Sequence, residues 1–415
     1  MTDSRRAYPA LQRSMKVLLL HNSYQQRGGE ELCFEAERDL LRERGHRVSE
    51  HVVENHSIRP GHLALTGLKA VWNQNEYRRV RRRLREIDAE IVHVHNFFPL
   101  ISPAVYYAAA DEGVPVVQTL HNYRLLCPGG LLFRDGKPCE DCVGKAVPWG
   151  GVRHGCYRGS PAASAAVAAM AVTHRALGTW SGRVSAYIVL TEFARSRFVA
   201  GGFPESKLFL KPNFVHDAGQ GRGDGGYAVY VGRLSEEKGV RVLLDAWRTV
   251  DARLPLKILG AGPLEPLVSE RARSTSSIDY VGYRCTADVT EIIKRATALV
   301  LPSVCYEGLP RVIPEAFAAG TPVIASGRGA MESLVVHQKN GLKFAPGDAT
   351  DLAVQVDWML KHPADWQVVR ENARAEYLGN YTPDRNYRLL MGLYTRVLAR
   401  DPINGVHAAR GPEAA

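Results

Sequence analysis

Short apolar runs recur along the chain, most of them closed by a glycine, proline, histidine or asparagine. Between them lie longer stretches with apolar residues at three- and four-residue spacing. The short runs predict strands over 16–21, 90–95, 115–121, 185–191, 227–231, 256–262, 278–282, 298–301 and 323–325. They are continuously apolar rather than alternating, as expected of parallel strands buried on both faces. The longer stretches predict helices over 30–44, 76–86, 161–172, 288–295, 349–361, 365–378 and 384–399. Further helices begin at Glu192 and, ending near Val250, just after Gly239. Strand–turn–helix alternation of this kind is the signature of doubly wound α/β domains. A turn at Asn340-Gly341 precedes another short apolar segment, and the polar, glycine-rich stretch 216–226 predicts a surface loop between two such domains.

The segment 298–326 organises the second half. Its pattern is strand, loop, helix, strand, with Gly320 at the helix C′ position. Pro310 and Pro314 fall within about one turn of the helix start, where unpaired N–H groups make proline tolerable. Glu307 lies in the loop beyond the C-terminal end of a strand, where open α/β sheets bind ligands. Glu315 lies early in the helix, whose N-terminus favours an anion. Taken alone, these carboxylates are equally a solvated loop residue and a complement to the helix dipole.

Three other turns carry candidate chemistry. Gly28-Gly29 after the first strand permits close backbone approach to a phosphate, or is a plain βα turn. His121 closes a strand and points to the ligand edge of its sheet, with His93 and His95 in core or supporting positions. Gly232-Arg233-Leu234-Ser235-Glu236-Glu237-Lys238-Gly239 joins a strand to a helix, and its Arg and Lys suit a diphosphate. The turn between the first strand and its helix carries no G-x-G-x-x-G, which disfavours a dinucleotide oxidoreductase. Cys127, Cys139, Cys142 and Cys156 lie in a Gly- and Pro-rich segment containing one C-x-x-C; they suit a structural zinc site, or are unliganded thiols.

Composition narrows the classes. The chain has 415 residues, enough for two or three domains, and is 45% hydrophobic and 23% charged, the balance of an ordinary globular protein. A net charge of +10 favours an anionic partner without choosing among them. The basic stretch 76–86 carries Arg78, Arg79, Arg81, Arg82, Arg83 and Arg85 and predicts either contact with an anionic membrane or a solvated helix face. With no aromatic-rich sheet, zinc-finger spacing or basic-zipper pattern beside it, no nucleic-acid partner is expected. Residues 1–15 are polar and basic, unlike a signal peptide, and 161–172 is short and followed by His174 and Arg175. Seven cysteines, an odd number, fit a reducing compartment. A cytoplasmic protein, peripheral at the inner face of the cell membrane if the arginines dock there, is the expectation.

The paired glutamates seven residues apart, followed by Ala-Ala-Gly-Thr-Pro-Val-Ile, resemble the E-x7-E signature of the retaining nucleotide-sugar glycosyltransferases of family 4. The order of Gly pair, His, Arg/Lys loop and paired Glu extends the resemblance over nearly the whole chain. It implies the GT-B fold: two Rossmann-like doubly wound domains facing each other across a cleft, with a C-terminal helix crossing back to the first domain. The division expected is a disordered tail over 1–14, an acceptor-side domain over 15–212, a donor domain over 213–383, a crossover helix over 384–402 and a disordered tail over 403–415. The resemblance also implies roles. Gly28 and Gly29 would face the donor diphosphate, His121 the sugar, and Arg233 and Lys238 the diphosphate charge. Gly282 and Tyr283 would bracket the base. Glu307, Gly308 and Leu309 would line the donor, and Glu315 would bind the ribose. The implied reaction moves a sugar from a nucleotide-diphosphate sugar to a hydroxyl of a glycan or lipid-linked acceptor, with retention, in polysaccharide or glycoconjugate synthesis. No catalytic divalent metal is expected, and no Asp-x-Asp is present to hold one. A GT-B nucleotide-sugar epimerase and a non-catalytic sugar-nucleotide binding protein are the alternatives.

Overall fold

The computed structural model describes residues 13–25, 28–57 and 63–400. The tails expected over 1–14 and 403–415 lie outside these residues except for Arg13 and Ser14. Those two are held: Arg13 pairs with Glu90, and Ser14 Oγ donates to the Gly45 carbonyl at 2.7 Å. The chain divides into two compact units. One comprises the residues through Gly130, Asp141–Lys211 and those from Asn386 onward; the other comprises Leu131–Glu140 and Pro212–Arg385.

The strands, in chain order, are β1 (Lys16–Ser23), β2 (Arg47–Glu54), β3 (Ile91–Asn96), β4 (Val116–Leu120), the two-residue strands β5 (Phe133–Arg134) and β6 (Lys137–Pro138), β7 (Ala186–Val189) and β8 (Leu208–Leu210). They continue with β9 (Ala228–Val231), β10 (Leu256–Leu259), β11 (Ile278–Gly282), β12 (Ala298–Leu301), β13 (Val323–Ser326) and β14 (Gly341–Phe344). The first unit carries a parallel sheet in the order β2-β1-β3-β4-β7-β8, and the second a parallel sheet in the order β11-β10-β9-β12-β13-β14. In each, the first strand lies inside the sheet and the chain winds outward on both sides of it. The strand order therefore reverses between β1 and β3, and between β9 and β12. Crevices at the C-terminal ends of such switch points are where doubly wound sheets bind ligands. The Gly28-Gly29 turn follows β1, the Arg233/Lys238 loop follows β9, and the Glu307 loop follows β12.

Burial on both faces explains the continuous apolar runs. In β12, Ala298 and Val300 join one core cluster, while Leu299 and Leu301 join the cluster on the opposite face; β9 alternates likewise through Tyr230 and Val229. The helix Pro383–Arg400 completes the first unit. Its Tyr387 hydroxyl lies 2.8 Å from His46 Nε2, and its Tyr394 hydroxyl 2.8 Å from His93 Nδ1. The glycine-rich stretch 216–226, expected as a plain surface loop, is pinned to the second unit. The amides of Gly221, Gly223 and Gly225 donate to the carbonyls of Ala319, Lys294 and Arg295 at 2.8–3.0 Å. Glycine fits there because a Cβ at position 221 would stand 2.0 Å from the Lys294 carbonyl oxygen.

Candidate functional site

The second unit carries five of the expected residues, Arg233, Lys238, Glu307, Gly308 and Leu309, on two adjacent loops. After β9, the Tyr230 hydroxyl donates to the Arg233 carbonyl at 2.8 Å and fixes the loop, leaving the Arg233 side chain exposed. A single turn, Glu236–Lys238, ends at Gly239, which takes a φ of +69° and starts the helix Val240–Val250. A Cβ on Gly239 would lie 1.9 Å from the Pro302 carbonyl oxygen, so only glycine lets the β9 loop press against the residue after β12. The Val304 amide donates to the Glu237 carbonyl at 3.0 Å and ties the two loops together.

That closeness brings Lys238 to Glu307. The ammonium donates to both carboxylate oxygens, at 2.7 and 2.9 Å, and Ser303 Oγ donates to one of them at 2.7 Å. Burial pulls the Lys238 pKa down, but the Glu307 carboxylate outweighs it and holds the ammonium above its usual range. Lys238 is therefore a permanent cation whose neutralising partner a diphosphate could displace. Glu315 is the fourth residue of the helix Val312–Ala318 and accepts from Arg311 Nε at 2.7 Å. Burial raises its pKa against the pull of Arg311. Gly308 is half-buried and Leu309 buried beneath this loop. Gly282, with a φ of +78°, turns the chain out of β11, and Tyr283 beyond it stands 74% exposed.

The first unit assembles its own group at the C-terminal edge. Glu31 holds the turn after β1, its two carboxylate oxygens accepting from the Tyr24 and Gly28 amides at 2.9 Å each. A Cβ on Gly28 would meet nothing nearer than Glu31 Oε2 at 3.6 Å, so the fold alone does not demand glycine there. Gly29 begins the helix Gly29–Glu43. Glu30 beside it is a half-buried acid whose pKa is raised to about 8 by desolvation and Glu31. His121 follows β4 directly, and its Nε2 lies 3.1 Å from His95 Nδ1.

Beneath His95 lies a group that sequence reasoning did not find. Glu37 Oε1 is 3.2 Å from His95 Nε2 and 3.0 Å from His93 Nδ1, while Oε2 accepts from Lys211 Nζ at 2.5 Å. Lys211 also donates to Asn386 Oδ1 at 3.2 Å. Glu37, His93 and His95 bring their ligand atoms within 4.8 Å of one another, and the cation in contact with Glu37 is the Lys211 ammonium. Glu37 and Lys211 are 174 positions apart, and no local pattern signals the pairing.

The remaining expected residues stand elsewhere. Cys127 and Cys142 are buried, and Cys139 and Cys156 half-buried. Gly129 packs on Cys156, where a Cβ would come within 3.1 Å of its carbonyl oxygen. The arginine stretch lies on the helix Gln74–Ile87, which Asn73 caps and whose buried face carries Glu76, Val80 and Leu84. Arg81 and Arg85 reach Glu112, Arg79 reaches Glu76, and Arg82 and Arg83 stand near Glu86. Among the described residues, no helix is long and apolar enough to cross a membrane.

Two family models match this chain: one described as Glycosyltransferase Family 4 over residues 17–218, and one described as Glycosyl transferases group 1 over residues 225–362. Similar proteins include a glycogen synthase of Mycobacterium tuberculosis, 33% identical over 159 residues that cover 37% of this chain and 38% of the relative. A D-rhamnosyltransferase of Pseudomonas aeruginosa is 27% identical over 38% of this chain and 42% of its own length. Each of these matches spans less than half of the relative. Among solved structures, Anabaena HepE in complex with UDP superposes with a TM-score of 0.66 at 18% identity, covering 92% of this chain and all of that one. Sucrose-phosphate synthase of Thermosynechococcus elongatus gives 0.69 at 16% identity, covering 93% and 100%.

Proposed function

This chain belongs to the family 4-type glycosyltransferases of GT-B fold, and from that premise we propose that it transfers a glycosyl group from a nucleotide-diphosphate sugar to a hydroxyl, with retention. The observation that carries this reading is the pairing of Lys238 with Glu307 at the β9/β12 switch point, on loops that also carry the exposed Arg233. Breaking the anomeric C–O bond leaves negative charge on the departing diphosphate. Arg233 and the fixed Lys238 cation are assigned to that charge, whose stabilisation is the main electrostatic task of the step. Glu307 is assigned to the sugar hydroxyls, with Lys238 exchanging it for the diphosphate when the donor binds. Glu315 takes the ribose hydroxyls, Tyr283 the base, and His121 the transferred sugar. In this reading the cations do the work of a divalent metal, and none is required. The UDP and UDP-glucose complexes of HepE support a nucleotide-sugar donor.

A thermal-shift panel of nucleoside diphosphates and their sugars tests the reading. A ligand that binds only the folded chain at a hundred times its Kd stabilises it by about 2.7 kcal/mol. No shift with any nucleoside diphosphate would dismiss it. Epimerisation of the sugar without transfer would select the epimerase alternative.

The acceptor in this reading is a glycan or lipid-linked glycan of polysaccharide synthesis, met at an anionic membrane surface. Leu65, Leu68 and Trp72 are exposed (47%, 70% and 37%) just ahead of the arginine helix, whose Arg78, Arg82 and Arg83 are exposed as well. Each surface-proximal arginine adds roughly 1 kcal/mol toward anionic lipid, and salt screens it. Vesicle co-sedimentation is expected to show binding that needs anionic lipid, falls with salt and disappears when Arg78, Arg82 and Arg83 become Gln. Equal binding to neutral vesicles would assign the stretch to a solvated face.

Cys127, Cys139, Cys142 and Cys156 are read as a structural zinc set, in a segment with little apolar core of its own. Elemental analysis is expected to find zinc in the full chain, and Cys142→Ser to release it and lower Tm. Metal-free protein with unchanged Tm would leave them as plain thiols.

A further inference from the structure

His121 ends a chain of buried contacts that begins at Lys211: Nζ to Glu37 Oε2 at 2.5 Å, Glu37 Oε1 to His95 Nε2 at 3.2 Å, and His95 Nδ1 to His121 Nε2 at 3.1 Å. Glu37 and Lys211 are 4% and 3% exposed, and His95 4%. An ionised carboxylate only accepts, so the nitrogen of His95 facing Glu37 carries a proton. A neutral imidazole has one N–H, so His95 Nδ1 is then an acceptor. The nitrogen facing it, His121 Nε2, must donate.

We infer that Glu37 and His95 fix the tautomer of His121, so that the ring holds its proton on Nε2 and presents Nδ1 as an acceptor to a hydroxyl of the transferred sugar. The sugar contact rests on the glycosyl-transfer reading above; the tautomer does not. Glu37 and His95 are positioning residues, and Lys211 keeps Glu37 ionised.

Burial and the neighbouring His93 push the His95 pKa down to about 4, which keeps that ring neutral near pH 7. Burial and His95 likewise hold His121 well below the ordinary histidine range. A neutral His121 with Nε2–H directed inward has no proton to give a substrate from Nδ1. Its part is to accept a hydroxyl proton in a hydrogen bond and so orient the sugar. Among the described residues, the one hydrogen bond drawn to the His121 ring is that with His95.

The test uses the full chain labelled with 15N-histidine and two-bond proton–nitrogen correlation near neutral pH, with His121→Gln to assign the signals. The expected pattern for His121 is a protonated Nε2 and a bare Nδ1. A proton on Nδ1, or an imidazolium, would overturn the inference without any assay of turnover. In Glu37→Gln, Lys211 holds the amide oxygen and the amide N–H turns to His95, so both tautomers should invert. In His95→Phe, His121 loses its acceptor and should become a mixture; an unchanged tautomer there would also overturn the inference. For the sugar contact, His95→Phe should lower kcat about tenfold or more through misplacement of the sugar, with nucleoside diphosphate binding unchanged. Normal kcat beside a lost tautomer would remove the positioning role. If His121 shows the expected tautomer but no nucleotide sugar is ever consumed, the glycosyl-transfer reading fails and the tautomer stands.

Discussion

Lys238→Ala is expected to lower turnover by ~10²–10³ while costing no more than about 1 kcal/mol of stability. The asymmetry follows from where the side chain sits. Its side chain is 30% exposed and its ammonium is bound to Glu307, a pair whose loss matters little to folding because water and Ser303 can serve the carboxylate. The same ammonium is aimed at charge that appears only as the sugar departs, so its removal falls on kcat. Arg233→Ala should behave alike, since its exposed guanidinium is not used by the core. Steady-state kinetics with the identified donor, set against urea unfolding of each variant, separates the two effects. Near-normal turnover would take that residue out of the site, and a large stability loss would make Lys238 a structural residue instead.

Lys211→Met should act in the opposite sense, destabilising the first unit by ~3–5 kcal/mol because it strands a buried carboxylate. Burial alone would raise the Glu37 pKa, but Lys211 and His93 hold it well below the ordinary carboxylate value. A folded-state pKa below that of the unfolded chain means that the unfolded state takes up protons first on acidification. The contribution of Glu37 is therefore complete above about pH 4.3, the unfolded value, and is lost as pH falls through the lower folded one. Without Lys211 burial raises the folded pKa toward or above the unfolded one, so the acid-induced loss from Glu37 should shrink or reverse, and the variant should recover part of its deficit as pH falls. Urea midpoints followed from pH 7 down to acid would show the shift. Adding Glu37→Leu to Lys211→Met should restore most of the stability, since an apolar pair removes the stranded charge. No restoration would mean that the methionine misfits for reasons of shape.

The parts of this molecule that were legible in its sequence are those where one local rule acts. Strands buried on both faces have to be apolar throughout, and the runs ending at Leu120, Val231 and Leu301 stood out for that reason. The placement of Arg233, Lys238, Glu307 and Glu315 was legible because each sits on a loop or helix start just after such a run. The strand Arg47–Glu54 was missed because it is an edge strand, partly exposed, whose RVSEHVVE sequence has no continuous apolar stretch. The helix Ala104–Asp111 was missed because most of its circumference is buried, which erases the amphipathic period. Glu37, His95 and Lys211 could not be paired because their contact is made by the fold, between the helix after β1, the end of β3 and the residue just past β8. Gly239 could be read as a helix-start glycine, but its 1.9 Å reason, the Pro302 carbonyl, belongs to another loop.

The helix Pro383–Arg400 supplies Asn386, Tyr387 and Tyr394 to a unit whose other residues end at Lys211. On the ribosome this separates two moments. The second unit has nearly all of its residues once Arg385 has been synthesised, whereas the first must wait for the helix that follows. At ~5–20 residues per second, the roughly 190 residues between Lys211 and the end of that helix take about 10–40 s to appear. Throughout that interval His46, His93 and Lys211 exist without their partners from the helix, and the first unit lacks those buried polar contacts. A translational pause placed between residues 211 and 400 would lengthen that exposure.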